Sequence, residues 1–343
     1  MKPRPTIREV ARQANVSPTT VSHVINETRF VSEQLRQRVY QAMDDLGYRP
    51  NALARSLRQG ETHTLGLILP DSANPFFAEI GRNIEASAFE LGYSLILCNT
   101  EGDINREHIY VDLLIRKQVD GIIFVGTGDR SDSGDRSDPL GALFQRRLPV
   151  VVVDRDLPGI EVDAVLADNL KGGYMATRHL IDLGHRRIAC ISGPSHLTPS
   201  AYRVTGYRNA HHEAGLPVDH SLIQRGDFHP ESGRIAASRL FELPDPPTAI
   251  FACNDLMAMG ALHVAATNGC LVPDELSIIG FDDIELASFS FPPLTTISQP
   301  KKKMGEVAVQ LLLERIQDKS RPVQRRILSP SLVLRQSTGG QEA

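Results

Sequence analysis

At 343 residues the chain is too long for one ordinary core and calls for two or three domains. A hydrophobic content of 41% beside 23% charged residues excludes a disordered chain. A membrane-length apolar run and a secretory leader pattern are both absent from it, so a cytoplasmic protein without membrane contact is expected. The net charge of −4 hides an asymmetry: residues 1–60 hold ten Lys/Arg against five Asp/Glu, a net of +5, which leaves −9 on the other 283. A small basic module on an acidic body suits attraction to phosphate at one end only.

Ile7, Val10, Ala11 and Ala14 recur at helical spacing and give a first short helix its apolar face. Asn15-Val16 breaks it, and Ser17 is a good N-cap for a second helix that buries Val21, Val24 and Ile25. Thr19, Thr20, Ser22 and His23 then point outward, so the pair reads as a helix-turn-helix that presents small polar groups to base edges. A third helix starts after Ser32, uses Val39, Met43 and Leu46, and stops at Gly47. Asn51 caps a short segment running to Arg58, and Gln59–Thr62 is a polar linker.

From Thr64 the texture changes. Strands are expected at 65–69, 93–97, 121–125, 150–153 and 165–166, with helices at 77–91, 106–116 and 171–183 between or after them. A second series has strands at 188–191, 249–252 and 277–280. Continuous apolar strands alternating with helices predict parallel sheets covered on both faces, here as two doubly wound α/β lobes. The polar near-repeat at 128–138 reads as a surface loop. A late helix runs from about Met304 to Ile316, and Ser337 onward reads as a frayed tail. Without a C-terminal heptad array, a coiled-coil tetramer is not supported. The four cysteines are widely spaced and lie in or beside apolar segments, which predicts free thiols and no metal site.

The helix-turn-helix, the Asn51–Arg58 segment and the paired α/β lobes together resemble the lac repressor/galactose repressor family of bacterial transcription regulators, over residues 5–336. Val21-Ser22-His23-Val24-Ile25-Asn26, Asn99-Thr100-Glu101-Gly102-Asp103 and Asp282–Phe289 look especially like its ribose-operon repressor branch. The resemblance implies a DNA-binding domain at 1–49 and a hinge helix with linker at 50–61. It also implies an N-terminal lobe from 62–167 plus 300–328 and a C-terminal lobe from 168–299 plus 329–343. It implies double-stranded operator DNA as partner, a homodimer, and contacts to DNA through Thr6, Ser17, Thr19, Thr20, Ser22, His23, Asn26, Arg29, Asn51, Ala54 and Leu57. Leu57 matches the family's minor-groove wedge. His23 replaces an arginine of some relatives, so a bidentate guanine fork is not available there.

A small polyol held between two lobes needs aromatic faces for its C–H groups and charged or amide groups for its hydroxyls. Both kinds occur at strand ends, where open parallel sheets bind ligands. The set Asn74, Phe76, Phe77, Asp154, Arg155, Arg203, Phe228, Asn254, Asp282 and Gln299 resembles, position by position, the pocket of the periplasmic ribose receptor. By that similarity the rings sandwich a sugar, D-ribose or a close relative, and the other seven hydrogen-bond it. Another pentose, a phosphorylated sugar and a purine stay open as effectors. A transport receptor is disfavoured by the basic N-terminal module. An enzyme is not expected, for want of a P-loop, a Gly-x-Gly-x-x-Gly after a strand or a nucleophile elbow. Asp282-Asp283 is a poor acid/base pair because neighbours at a strand end diverge. No cofactor is expected.

Overall fold

The computed structural model describes residues 5–26, 28–49, 62–126, 141, 143, 146–157 and 159–340. The chain divides into two compact units, Met1–Thr62 and His63–Ala343. In the first, α1 (Ile7–Gln13), α2 (Pro18–Asn26) and α3 (Glu33–Leu46) enclose a core of Val10, Ala11, Ala14, Val21, Val24, Val39 and Ala42. The break after α1 is made by Asn15 at φ 51, a left-handed conformation that asparagine tolerates. Arg38 of α3 donates to Ala14 O at 2.5 Å and so pins that turn. Gly47, at φ 63, ends α3 as expected.

The second unit holds two six-stranded sheets. The N-terminal lobe is built on β1 (Thr64–Leu69), β2 (Ser94–Asn99), β3 (Gly121–Phe124), β4 (Val150–Val153), β5 (Asp163–Ala167) and β11 (Arg325–Leu328), in the order β11-β5-β4-β3-β1-β2. Helices α4 (Pro75–Glu90), α5 (Ile104–Arg116) and α11 (Lys301–Gln317) cover it. The C-terminal lobe uses β6 (Ile188–Ser192), β7 (Ile223–Arg225), β8 (Ala249–Ala252), β9 (Ser277–Asp282), β10 (Thr295–Ser298) and β12 (Ser331–Val333), in the order β12-β10-β9-β8-β6-β7. Its helices are α6 (Asn169–Asp182), α7 (Thr198–Glu213), α8 (Pro230–Phe241), α9 (Asp255–Thr267) and the short α10 (Glu285–Phe289). The chain passes between the sheets three times: after β5, between β10 and α11, and between β11 and β12.

Two features depart from expectation. The edge strand β12 runs antiparallel to β10, so the second sheet is not wholly parallel. Ser337 is no frayed end. It is fully buried, donates to Ile278 O at 2.5 Å and accepts from Thr295 N at 2.8 Å, while Gly339 N bonds Ser277 Oγ at 3.0 Å. The tail thus supplies hydrogen bonds that strands β9 and β10 would otherwise lack. The cysteines are free thiols, three of them buried.

Candidate functional site

In the first unit, Ser17 caps α2: its Oγ accepts from Thr20 N at 3.0 Å and lies 2.9 Å from Thr20 Oγ1. Ser17, Thr19 and Arg29 are exposed, whereas Thr20, Ser22, His23 and Asn26 are half-buried. His23 Nδ1 lies 2.7 Å from Thr28 Oγ1, which leaves Nε2 as the ring atom for an outside partner. Asn26 donates to Ser22 O at 2.8 Å, so its amide nitrogen is already engaged along the helix. Thr6 is exposed at the head of α1, and both its amide and its hydroxyl donate to the Glu9 carboxylate, holding that carboxyl below its usual range. Asn51, Ala54 and Leu57 lie outside the described residues, as does the 128–138 loop.

In the second unit a cavity of about 420 Å³ opens between the carboxyl ends of the two sheets, within the range of small-molecule sites. Nine of the ten residues picked from the sequence line it. The tenth, Gln299, stands behind the wall and donates to Asp282 Oδ1 at 2.7 Å. Residues outside that set join the lining, among them Asp71, Glu101, His196, Asp227 and His229.

Each wall has a local cause. Asn74 caps α4 by accepting from Phe76 N at 3.0 Å, and Pro75 follows at the first helical position, so the first turn presents Phe76 and Phe77 edge-on to each other at 5.1 Å. Asn254 caps α9 through Met257 N at 2.9 Å and turns its amide onto Phe228 O at 2.9 Å, which fixes the opposite ring. Arg203 lies in the second turn of α7, where α6 comes so near that a Cβ on Gly173 would strike the Arg203 carbonyl. Its guanidinium stacks on Phe281 at 3.8 Å and donates to Asn169 Oδ1 at 2.8 Å and Cys253 O at 2.5 Å. It also faces Asp282 Oδ1 at 3.5 Å. Arg155 donates to Gly126 O at 2.8 Å and sits 5.3 Å from the Phe77 ring centroid.

Asp154, Phe228 and Asp282 have φ of 66, 73 and 108, conformations costly for residues with a Cβ and held here by their surroundings. Asp283, also left-handed at φ 54, turns away to Arg335 at 2.7 Å, so the adjacent carboxylates do diverge. Burial pushes the Asp282 carboxyl up to about 6 against the pull of Arg203, Gln299 and Lys301. Burial also raises Asp154, with Arg203 and Arg155 pulling the other way, and lowers Arg155. Asp154 Oδ1 is buried and has no hydrogen-bond partner among the described residues. The cavity therefore offers flat apolar faces beside paired charges, the two kinds of surface that recognise a small polar ligand.

Residues 6–51 match the model of bacterial regulatory proteins of the lacI family, and residues 177–338 match a periplasmic binding protein-like domain. The HTH-type transcriptional repressor PurR of Photobacterium profundum is 43% identical over 336 residues, 97% of this chain and 98% of that protein. The chain belongs to the lacI family of bacterial regulatory proteins. The ribose operon repressor of Escherichia coli (strain K12) is likewise 43% identical, over 334 residues, 97% of this chain and 99% of that one. Among solved structures, the lac repressor dimer bound to operator and the anti-inducer ONPF superposes with a TM-score of 0.87 at 27% identity, covering 98% and 100% of the two chains. This lacI-family chain is accordingly a DNA-binding transcriptional repressor with a small-molecule site, and its relatives are repressors rather than enzymes.

Proposed function

We propose that this repressor binds D-ribose between its two lobes and that the sugar opposes operator binding. The observation that carries the reading is the make-up of the cavity wall, where the carboxylates of Asp154 and Asp282 and the guanidinium groups of Arg155 and Arg203, able to bond hydroxyls, stand among three aromatic rings. Asn254 adds an amide, and Phe76, Phe77 and Phe228 are the apolar faces. Identity to the ribose operon repressor supports the same ligand. A free purine base is the second reading, carried by the equal identity to PurR. Against it, the buried Asp/Arg pairs form a compact polyol set rather than a slot for one flat ring.

The repressor acts on double-stranded operator DNA as a homodimer in the cytoplasm, associated with the nucleoid through its DNA. The operator-bound lac repressor dimer supports the DNA partner and the dimer. Thr19, Thr20, Ser22 and His23 read the major groove, and Leu57 wedges into the minor groove from the Asn51–Arg58 hinge, with Asn51 and Ala54 beside it. Calorimetry of the full-length protein with D-ribose, D-ribose 5-phosphate and a purine base decides the ligand. Ribose alone should bind in the micromolar range or tighter, and a preference for the purine rejects the sugar. Leu57→Ala should weaken specific operator binding and leave the ligand isotherm unchanged. Unaltered operator affinity at fixed salt rejects the wedge.

A further inference from the structure

Lys301 is among the few buried lysines a fold keeps, at 5% exposure, and it stands at the first position of α11 where the chain returns from one lobe to the other. Its ammonium donates to Asp282 O at 2.7 Å and Asp283 O at 2.5 Å, the two consecutive left-handed residues that aim the Asp282 carboxylate into the cavity. The same nitrogen pairs with Glu79 Oε2 at 3.2 Å. Glu79 is on α4, about one turn beyond Phe76, in the helix whose first turn carries Asn74, Phe76 and Phe77 of the facing wall. Two residues before Lys301, Gln299 holds the Asp282 side chain itself. An ammonium has three protons, and here each has an acceptor: two carbonyls from the C-terminal lobe and one carboxylate from the N-terminal lobe.

We propose that Lys301 is a positioning residue of the effector site, which holds the strained Asp282–Asp283 turn and ties it to helix α4, so that the polar and aromatic walls of the cavity keep one spacing. The proposal rests on the reading of this cavity as the effector site, not on ribose as its occupant. A lysine used only to neutralise Glu79 would leave the turn indifferent to it. A lysine that holds the turn sets the field at Asp282 as well. The charged groups facing that carboxylate are Arg203 from α7, Asp154 after β4, Asp255 from α9 and Lys301 from α11. Removing the lysine's charge while the other groups stay in place therefore moves its titration upward, and removing the Glu79 counter-charge moves it downward.

The test is carboxyl-carbon NMR titration of Asp282 in the ligand-free full-length protein, with D-ribose calorimetry at pH 7 alongside. Lys301→Met should titrate above the wild-type midpoint and bind ribose at least about tenfold more weakly. Glu79→Gln should titrate below it and weaken ribose binding by less than Lys301→Met does, since the amide oxygen still accepts from the ammonium. An unmoved midpoint in Lys301→Met overturns the proposal whatever the sugar does. If Lys301→Met does not fold, Glu79→Gln decides alone, and a midpoint that stays or rises in it is equally fatal. Should the wild type bind no ribose while both midpoints shift in opposite directions, Lys301 keeps its role and the ribose reading falls.

Discussion

Asp282 concentrates the physics of the site in one side chain. Its carboxyl is buried and titrates at about 6 instead of 3.8, so the empty folded protein keeps a proton that the unfolded chain has already released between those values. Stability of the empty protein is therefore lost as pH rises through that window, the reverse of an ordinary salt-bridged aspartate. In the proposed complex, a sugar hydroxyl donating to the ionised carboxylate offsets the loss. Ribose affinity should accordingly be flat above pH 7 and fall below pH 6 by up to about tenfold per unit, since one proton competes with the ligand. Calorimetry from pH 5 to 8 checks this, and a pH-independent affinity removes Asp282 from the contacts. Asp282→Asn should flatten the slope to what Asp154 contributes and weaken binding by roughly 1–3 kcal/mol, because the amide turns a donor toward groups arranged to donate. The Asp/Arg/Phe set was legible in the sequence because its order along the chain resembles the pocket of the periplasmic ribose receptor, and Asp154, Asn254 and Asp282 also stand at the ends of apolar strands. Asp71, His196 and Asp227 were not, because no resemblance singled them out and only the folding of their loops over the cavity brings them to its wall.

At the scale of elements, the long apolar strands announced themselves and the short polar ones did not. Strands β7, β10 and β12 contain Gln224, Thr295, Thr296 and Ser331, and they are strands because of their neighbours' ladders. The same tertiary dependence explains the tail, whose Ser337 looks like a terminus in sequence and is a core acceptor and donor in space. Ser337→Ala should cost about 1–3 kcal/mol, since Ile278 O and Thr295 N are then buried unpaired, and thermal melts of the full chain measure it. A loss under about 0.5 kcal/mol returns the tail to a passive role. Helix α7 makes the complementary point about ligand binding. Gly173→Ala drives a methyl into the Arg203 carbonyl, and neither helix backbone yields cheaply. The variant should lose ribose affinity at least about tenfold through a displaced Arg203 while circular dichroism stays native. Wild-type affinity means that the two helices separate freely and that Arg203 is not placed by their contact.

On the scale of the whole molecule, charge and topology are divided by task. The first 60 residues carry +5 and the rest −9, so operator binding should weaken linearly in log salt, with a slope set by the phosphates neutralised. If the effector is ribose, as proposed, its binding should be nearly independent of salt, because the ligand is neutral. If the two lobes are joined by three crossings and their spacing depends on what lies between them, ligand and operator are linked through one conformational equilibrium. Linkage then demands reciprocity: whatever factor saturating ribose takes from operator affinity, saturating operator takes from ribose affinity. Typical coupling of 1–3 kcal/mol predicts factors of about 5 to 150 in both directions. Both are measurable on the same full-length protein, by fluorescence anisotropy of a labelled operator with and without ribose and by calorimetry of ribose with and without operator. Because the cycle must close, agreement of the two factors certifies that both measurements are at equilibrium, and their common size is the coupling. A factor of one, with operator affinity unchanged at saturating ribose, means that the two sites do not share an equilibrium.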